Sequence, residues 1–582
     1  MKKYAVFFVL ILGSTLLAQN PPSAQQSTPS TAPAQSQPTA TIRSTTHLVQ
    51  VSVIVTDKKG QPITGLKRED FSVLDDSKPQ QIAFFSEASP APPATSIRIP
   101  ATVYTNRYDL KGQDPGAVTI VLFDLLNTAP QDQARVRQQL MDFLKTLTPQ
   151  DHVAMYGLTT QLYLLHDFTQ DASALVAAAN RINVKESAAY DASHPRYFDV
   201  PALANDPTSM FARFQAAVNE ADARAADREQ MNRAETTAAA LTDIANHIAT
   251  IGGRKNLIWV SGSFPLTINP AEIRPDRDSA SLEAYVNRAM QALNRANVAL
   301  YPVDATGVMT NTSMDPQQAG NNKTLTCMDC VTEAPGTSSA MFSRQNNRDA
   351  ERVMAASTGG EAFYGSNDIV PAVKRAFDDG RYAYTIAFYP DHGPWNGKFR
   401  KLKIETKVDG AKLRYREGYI AQADSLGDDQ ARAQLAVKEA AASPLDSTAL
   451  NMVVSGKVTQ DDPRRVELHI ALDPKQFELT QFADHRKGEV DLFFVQRNAK
   501  GDIISAQDQR VSLDFEEQHY EYLARTGVVF IRHEPISPDA VELRILACDT
   551  ASKAIGSVTI PVDPFLAALR KVEPPLKLEN LK

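Results

Sequence analysis

Basic residues are in the minority: 61 Lys and Arg stand against 68 Asp and Glu, a net charge of −7 over 582 residues. Nucleic-acid binding calls for a basic patch or stripe, so this balance gives no electrostatic case for it and mainly favours solubility. The chain also lacks His-Glu-x-x-His, Gly-x-Ser-x-Gly and a Gly-rich loop ending in Gly-Lys-Ser/Thr. Those patterns carry metallopeptidase, serine-hydrolase and nucleotide chemistry. The ten histidines are scattered and form no ligand pair. Cysteine is as scarce, with Cys327, Cys330 and Cys548 only. Cys327-Met-Asp-Cys330 suits a tight disulfide in an oxidising compartment, a redox pair or half of a zinc site. A redox pair usually opens a helix, whereas this one lies in a Gly/Asn/Thr/Pro-rich loop. Zinc would want a second such pair or two histidines nearby. A structural or incidental role is expected.

What is present begins with an export-like start. Lys2-Lys3 precedes an apolar run from Tyr4 to Leu17, and Ala18-Gln19 offers a cleavage point. The run is shorter than the roughly 20 residues of a membrane anchor, and no later stretch approaches that length. Residues 1–18 therefore read as a signal peptide, leaving no transmembrane segment after cleavage. The protein is expected to be exported: periplasmic, secreted or at the cell surface. Residues 19–40 are Gln, Asn, Pro, Ser, Thr and Ala alone. They cannot bury enough apolar surface to offset ordering and read as a disordered linker.

The alternating runs at 47–56 and 71–75, with a turn at Asp57-Lys-Lys-Gly60, predict a small Ig-like β domain over 41–90. Strands then alternate with helices. Val118–Phe123, His152–Leu158, Leu162–Leu165, Asn256–Val260 and Val298–Val303 read as strands, with a short one at 361–364. Helices are predicted at 131–147, 172–182, 208–250, 279–295 and 348–357, and from an Asp368 cap to Phe377. Tyr382–Tyr389 is expected to close this sheet. Alternation of this kind implies right-handed crossovers and a mostly parallel sheet. The fold class is thus α/β, a Rossmann-like doubly wound sheet over 115–420 flanked by two β-sandwich modules, with insertions at 183–235 and 307–346. A helical linker at 429–441 leads to strand-like runs at 466–471, 488–496, 527–532 and 540–547. These predict a C-terminal β-sandwich over 444–565, with a tail at 566–582.

The two most informative segments are Val118-Thr-Ile-Val-Leu-Phe-Asp124-Leu-Leu-Asn-Thr128 and Asn256-Leu-Ile-Trp-Val-Ser261-Gly-Ser-Phe-Pro265. Each is an apolar strand that stops at small or polar residues, as buried strands do at the carboxyl edge of an open sheet. Such edges hold ligand sites. In this spacing the pair resembles the first and fourth strands of a von Willebrand factor A (VWA) domain. Ala355–Tyr364, Tyr384–Pro390, Gly397–Ile404, Leu413–Tyr419 and Gly253–Trp259 extend the resemblance to the exported VWFA-related proteins of acidobacteria, over roughly residues 45–420.

The resemblance implies a site in which oxygen ligands hold Mg²⁺ or Mn²⁺ and an open position accepts a partner's carboxylate. Carried over residue by residue, Asp124 matches the first ligand and Thr128 the last hydroxyl. Leu126 breaks the middle one. Thr237 is the candidate second-loop threonine, with Thr236 an alternative, and Ser261 replaces an aspartate. Asp304, ending the next strand, is the candidate for the missing charge. The competing reading is that Asp124 caps a helix or accepts from loop amides with no metal. Tyr382, Tyr384, Tyr389 and Trp395 offer either a recognition surface or packing. The function expected is non-catalytic binding or adhesion, through a degenerate metal site, to a protein or cell-surface polymer. A scaffold subunit with an inert sheet edge is the alternative, and an uncharacterised hydrolase the third reading.

Overall fold

Five strands form the central sheet: β1 (Ala117–Asp124), β2 (Val153–Leu158), β3 (Leu162–Thr169), β4 (Arg254–Ser261) and β5 (Val298–Asp304), in the order β5-β4-β1-β2-β3. The first four neighbours run parallel, and the edge strand β3 is antiparallel to β2. The structure is a computed structural model that describes residues 48–87, 99–110, 117–148, 151–182, 210–265, 278–307, 337–390, 396–422, 430–459, 462 and 464–570. All of them belong to one compact unit, Thr46–Lys582. The expected signal peptide, the linker, Cys327, Cys330, Trp395 and the end of the tail lie outside the described residues.

Helices cover both faces of the sheet: α1 (Pro130–Leu144), α2 (Ala172–Asn180), α3 (Met210–His247), α4 (Asp278–Arg295), α5 (Thr337–Thr358) and α6 (Val370–Arg381). Strand alternation sorts the core. Ile120, Leu122, Tyr156, Leu257, Trp259 and Leu300 face α3 and α4. Val121, Phe123, Met155, Ile258, Val260 and Tyr301 face α1, α2 and α6. Pro130 opens α1, where its missing N–H is no loss, and Val136, Leu140, Phe143 and Leu144 form its buried stripe. At the end of α5, Gly359 turns the chain at φ +78°. Gly360 then passes so close to β5 that a Cβ would lie 1.9 Å from the Leu300 carbonyl oxygen.

Three expectations change. Ala383–Phe388 does not close the central sheet but pairs antiparallel with Val49–Thr56 and Ile82–Glu87. Asn396–Thr406 likewise pairs with Phe71–Asp75, and Lys412–Arg414 with Val49–Thr56. The β unit begun by residues 49–87 is thus completed by residues 383–422, around Val51, Val53, Phe71, Val73, Tyr384, Ile386, Leu402 and Ile404. An isolated 41–90 domain would have had too few strands to cover its own apolar face. Residues 361–364 give only a bridge, Phe363 to Val303. Residues 337–346 of the expected 307–346 insertion are helical, at the start of α5, whereas the helix expected at 208–250 is present as α3.

The C-terminal unit pairs Met452–Val458, Arg465–Leu472 and Val528–Pro535 in one sheet, and recruits Val103–Thr105 to its edge. A second sheet contains Thr480–Phe482, His485–Arg497, Ile503–Glu516, Glu542–Asp549 and Ile555–Pro561. Both sheets share one core with Phe565, Leu566 and Leu569 of the helix Val562–Leu569, so the unit runs past the expected boundary at 565.

Both β units dock away from the carboxyl ends of β1, β4 and β5. Arg414 of the first unit pairs with Asp379 at the end of α6 and with Glu361. The second meets the end of α3: Tyr108 donates to His247 Nε2 and His247 Nδ1 to the Asp446 carbonyl, each at 2.6 Å. Arg288 of α4 pairs with Glu439 at 2.6 Å. Burial pushes the Asp243 carboxyl, in the same seam, up to about 7, with the Ser443 hydroxyl and Arg544 opposing and Glu439 adding. A carboxyl whose folded value is raised lends stability that is full below its unfolded value of 3.8 and is lost as pH rises through about 7. Asp243→Asn is therefore expected to flatten the fall of the urea midpoint between pH 4 and 7; an unchanged slope would assign that fall to other groups.

Candidate functional site

Register brings the carboxyl ends of three strands level: Phe123 lies beside Val260, and Ser261 beside Asp304. Asp124, at the end of β1, is 0% exposed. Its Oδ1 accepts from the Asn127 amide N–H at 3.0 Å. Its Oδ2 accepts from Asn127 Nδ2 at 2.7 Å and from Trp259 Nε1 at 2.9 Å. The Ser261 hydroxyl lies 2.9 Å from Oδ2 and 2.6 Å from the Ser263 carbonyl, so its one proton serves one acceptor at a time. Burial raises the Asp124 carboxyl above its ordinary value, and the donors from Asn127, Trp259 and Ser261 pull it back.

The other expected residues join this network through hydroxyls. Thr128 Oγ1 donates to the Asp124 carbonyl at 2.5 Å and accepts from the Gly262 N–H at 2.9 Å, tying the loop after β1 to the loop after β4. Thr237 Oγ1 donates to the Arg233 carbonyl one helical turn back and accepts from Asn127 Nδ2 at 2.9 Å. Thr236, the alternative, instead bonds the Asn232 carbonyl on the exposed side of α3. Asp124, Thr128, Thr237 and Ser261 are therefore one cluster. Asp304 stands apart from it: its Oδ1 takes the N–H and hydroxyl of Thr306.

Sequence reasoning missed Asn127, Trp259 and Arg233. Asn127 Oδ1 accepts from the buried Arg233 at 3.0 Å, so one amide links the carboxylate of β1 to a guanidinium of α3. Arg233 also donates to the Ser263 hydroxyl. The available signal was the spacing of Arg233 and Thr237, which puts both on one face of α3. Leu126, where a hydroxyl was expected, is buried in the hydrophobic core.

A small divalent ion takes near-octahedral oxygen ligands. Here N–H and O–H donors surround the carboxylate, and the guanidinium beside Asn127 adds positive charge. The donor set does not fit Mg²⁺ or Mn²⁺. Among the described residues no three His, Cys, Asp or Glu side chains converge on a metal position.

No protein-family profile and no curated protein matches the chain. Among solved structures, an aerotolerance-related membrane protein from Bacteroides fragilis is 11% identical; the match covers 45% of this chain and 98% of that one, at a TM-score of 0.22. The pilus adhesin SpaC from Lactobacillus rhamnosus GG is 9% identical over 73% of this chain and 54% of its own, at 0.23. Human COPII-coat protein Sec24c is 10% identical over 53% and 43%, at 0.20. Likenesses this slight assign neither a family nor a ligand.

Trp259→Phe removes one donor and keeps most of the packing. It should cost about 1–2 kcal/mol in a denaturant titration, whereas Asp124→Leu, which orphans every donor at once, should cost several. Equal small losses from both would mean the carboxylate is not the hub.

Proposed function

We propose that this protein is a non-catalytic, exported binding protein. It engages a protein or cell-surface polymer through the carboxyl edge of a VWA-like, doubly wound sheet, without a metal ion. The observation that carries this reading is the division of the molecule. Both β units dock at the far end of α3 and α6, while the ends of β4 and β5 lead into loops at the opposite edge, where open sheets place ligands. The Asp124 cluster supports metal independence, because its hydrogen bonds already do the neutralising and cross-linking that an ion would do. Among the described helices none is long and apolar enough to cross a membrane.

A scaffold role is the second reading, favoured by one feature of the C-terminal unit. Val528–Pro535 is an edge strand with Ile531 61% exposed and Val529 also exposed. Unpaired strand edges of this kind add strands from other chains.

Site-specific photo-crosslinking in producing cells separates the two. Crosslinks from Thr306 and Tyr364, with none from Ile531, are expected; the reverse pattern would sink the sheet-edge reading in favour of the scaffold.

Thermal unfolding tests the metal clause. An ion at about a hundred times its dissociation constant would add roughly 2.7 kcal/mol and move the midpoint by several degrees. The expected result is one midpoint in EDTA, Mg²⁺ and Mn²⁺. A metal-dependent rise that Asp124→Ala removes would restore the metal mechanism.

A further inference from the structure

A cavity of about 310 Å³ opens at the carboxyl end of β5, between that strand, the 361–364 segment and the start of α6. At roughly 30 Å³ per water of liquid volume it would hold about ten waters, near the lower end of ligand pockets. Its walls are apolar, from Val303, Phe363, Ile369 and Ala372 among others, and its polar groups include Asp304 and Asp368. Each carboxylate satisfies one oxygen within its own turn: Asp304 Oδ1 from Thr306, Asp368 Oδ1 from the Val370 N–H. No described residue donates to the other oxygen of either, and neither forms a salt bridge with a described residue. Arg375 at the rim is turned aside, its Nε 2.9 Å from Glu361.

A second observation reports the negative field of Asp304 in this corner. Glu351 of α5 is 2% exposed, and its Oε2 has no hydrogen-bond partner. Burial chiefly, and the neighbouring Asp304 charge next, push its carboxyl up to about 8, with Arg348 opposing. Arg348 itself lies over the Tyr364 ring, 5.2 Å from the centroid. That ring also lines the cavity.

We propose that this cavity receives a lysine or arginine side chain of a protein partner. The aliphatic stem would lie against Val303, Phe363 and Ile369, and the cationic head between the open oxygens of Asp304 and Asp368. The inference rests on the sheet-edge binding reading and names the chemistry of its partner. Asp304 then serves as an acceptor for an organic cation, rather than as the metal ligand its place in the sequence suggested.

Calorimetric titration of the full chain with Nα-acetyl-lysine methylamide and its arginine counterpart is the test. Nα-acetyl-norleucine methylamide serves as the uncharged control of the same stem. Saturable millimolar binding of the cationic probes is expected, at least tenfold tighter than the control. Asp304→Asn keeps the Thr306 contact and should weaken binding at least tenfold. Ala372→Phe fills the cavity without touching a charge and should abolish it. Equal binding of the norleucine control, or binding that survives both variants, overturns the proposal. Free cadaverine binding ten times more tightly than the lysine probe overturns the assignment to a protein side chain. If no amine binds while Tyr364 still crosslinks in cells, the cavity is excluded and the sheet-edge reading stands.

Discussion

A carboxylate with no exposure to water organises the upper end of the central sheet. Burying Asp124 would be costly without partners, and the compensation comes from separate elements: the loop after β1 through Asn127, and β4 through Trp259 and Ser261. Because Asn127 also bonds Thr237 and Arg233, the long helix α3 is held to the same point. Thr128 then closes the circuit to Gly262. The outcome is a rigid cross-brace over the strand ends, in which each side chain is oriented by another. In the neighbouring corner Asp304 and Asp368 each keep one carboxylate oxygen to which no described residue donates.

The lower end is braced differently. There, arginines from the β units reach into the α/β unit. Arg414 meets Asp379 and Glu361, and Arg416 donates to the Gln50 carbonyl and approaches Asn294. Arg544 instead braces the C-terminal unit from within, reaching the Leu445 carbonyl and the Ser557 and Thr559 hydroxyls. Planar guanidinium groups suit such seams because their donors are fixed in a fork and weakly hydrated. Polar seams at one end and an apolar-walled acidic cavity at the other give the molecule two chemically distinct poles.

The parts of this arrangement that follow local rules were legible in the sequence. Short, largely apolar runs at Val118–Phe123 and Asn256–Val260 read as strands buried on both faces, and they lie in β1 and β4. Their polar ends placed Asp124 and Ser261 at one edge, and the VWA resemblance named Thr237 as their companion. What escaped notice depends on pairing between distant segments. Alternation marks Ala383–Phe388 as a strand but carries no information about its neighbour, and its true partner lies more than 300 residues earlier. Trp259 went unremarked inside a strand because an indole is mostly apolar; its single N–H matters only once a buried acceptor stands opposite. Arg233 lies in a helix rich in charged residues, where one buried guanidinium looks like its exposed neighbours. Glu351 was hidden in the same way on α5.

The pairing of residues 49–87 with 383–422 means that the α/β unit is inserted within a β unit, not placed after it. The pairing of Val103–Thr105 with Met452–Val458 interleaves the C-terminal unit as well. A chain made from its amino end must therefore carry Val49–Thr56 and Ile82–Glu87 without the strand that joins them until Phe388 has emerged. At 5–20 residues per second that interval lasts tens of seconds. The α/β unit, whose strands pair within residues 117–304, can assemble during the wait. Its folding draws the two halves of the first β unit together, shortening a loop whose closure would otherwise be entropically costly. Order of assembly is thus written into the connectivity. The last strands to arrive are those that seal both β units, so cleavage anywhere between them would leave paired but covalently separate halves.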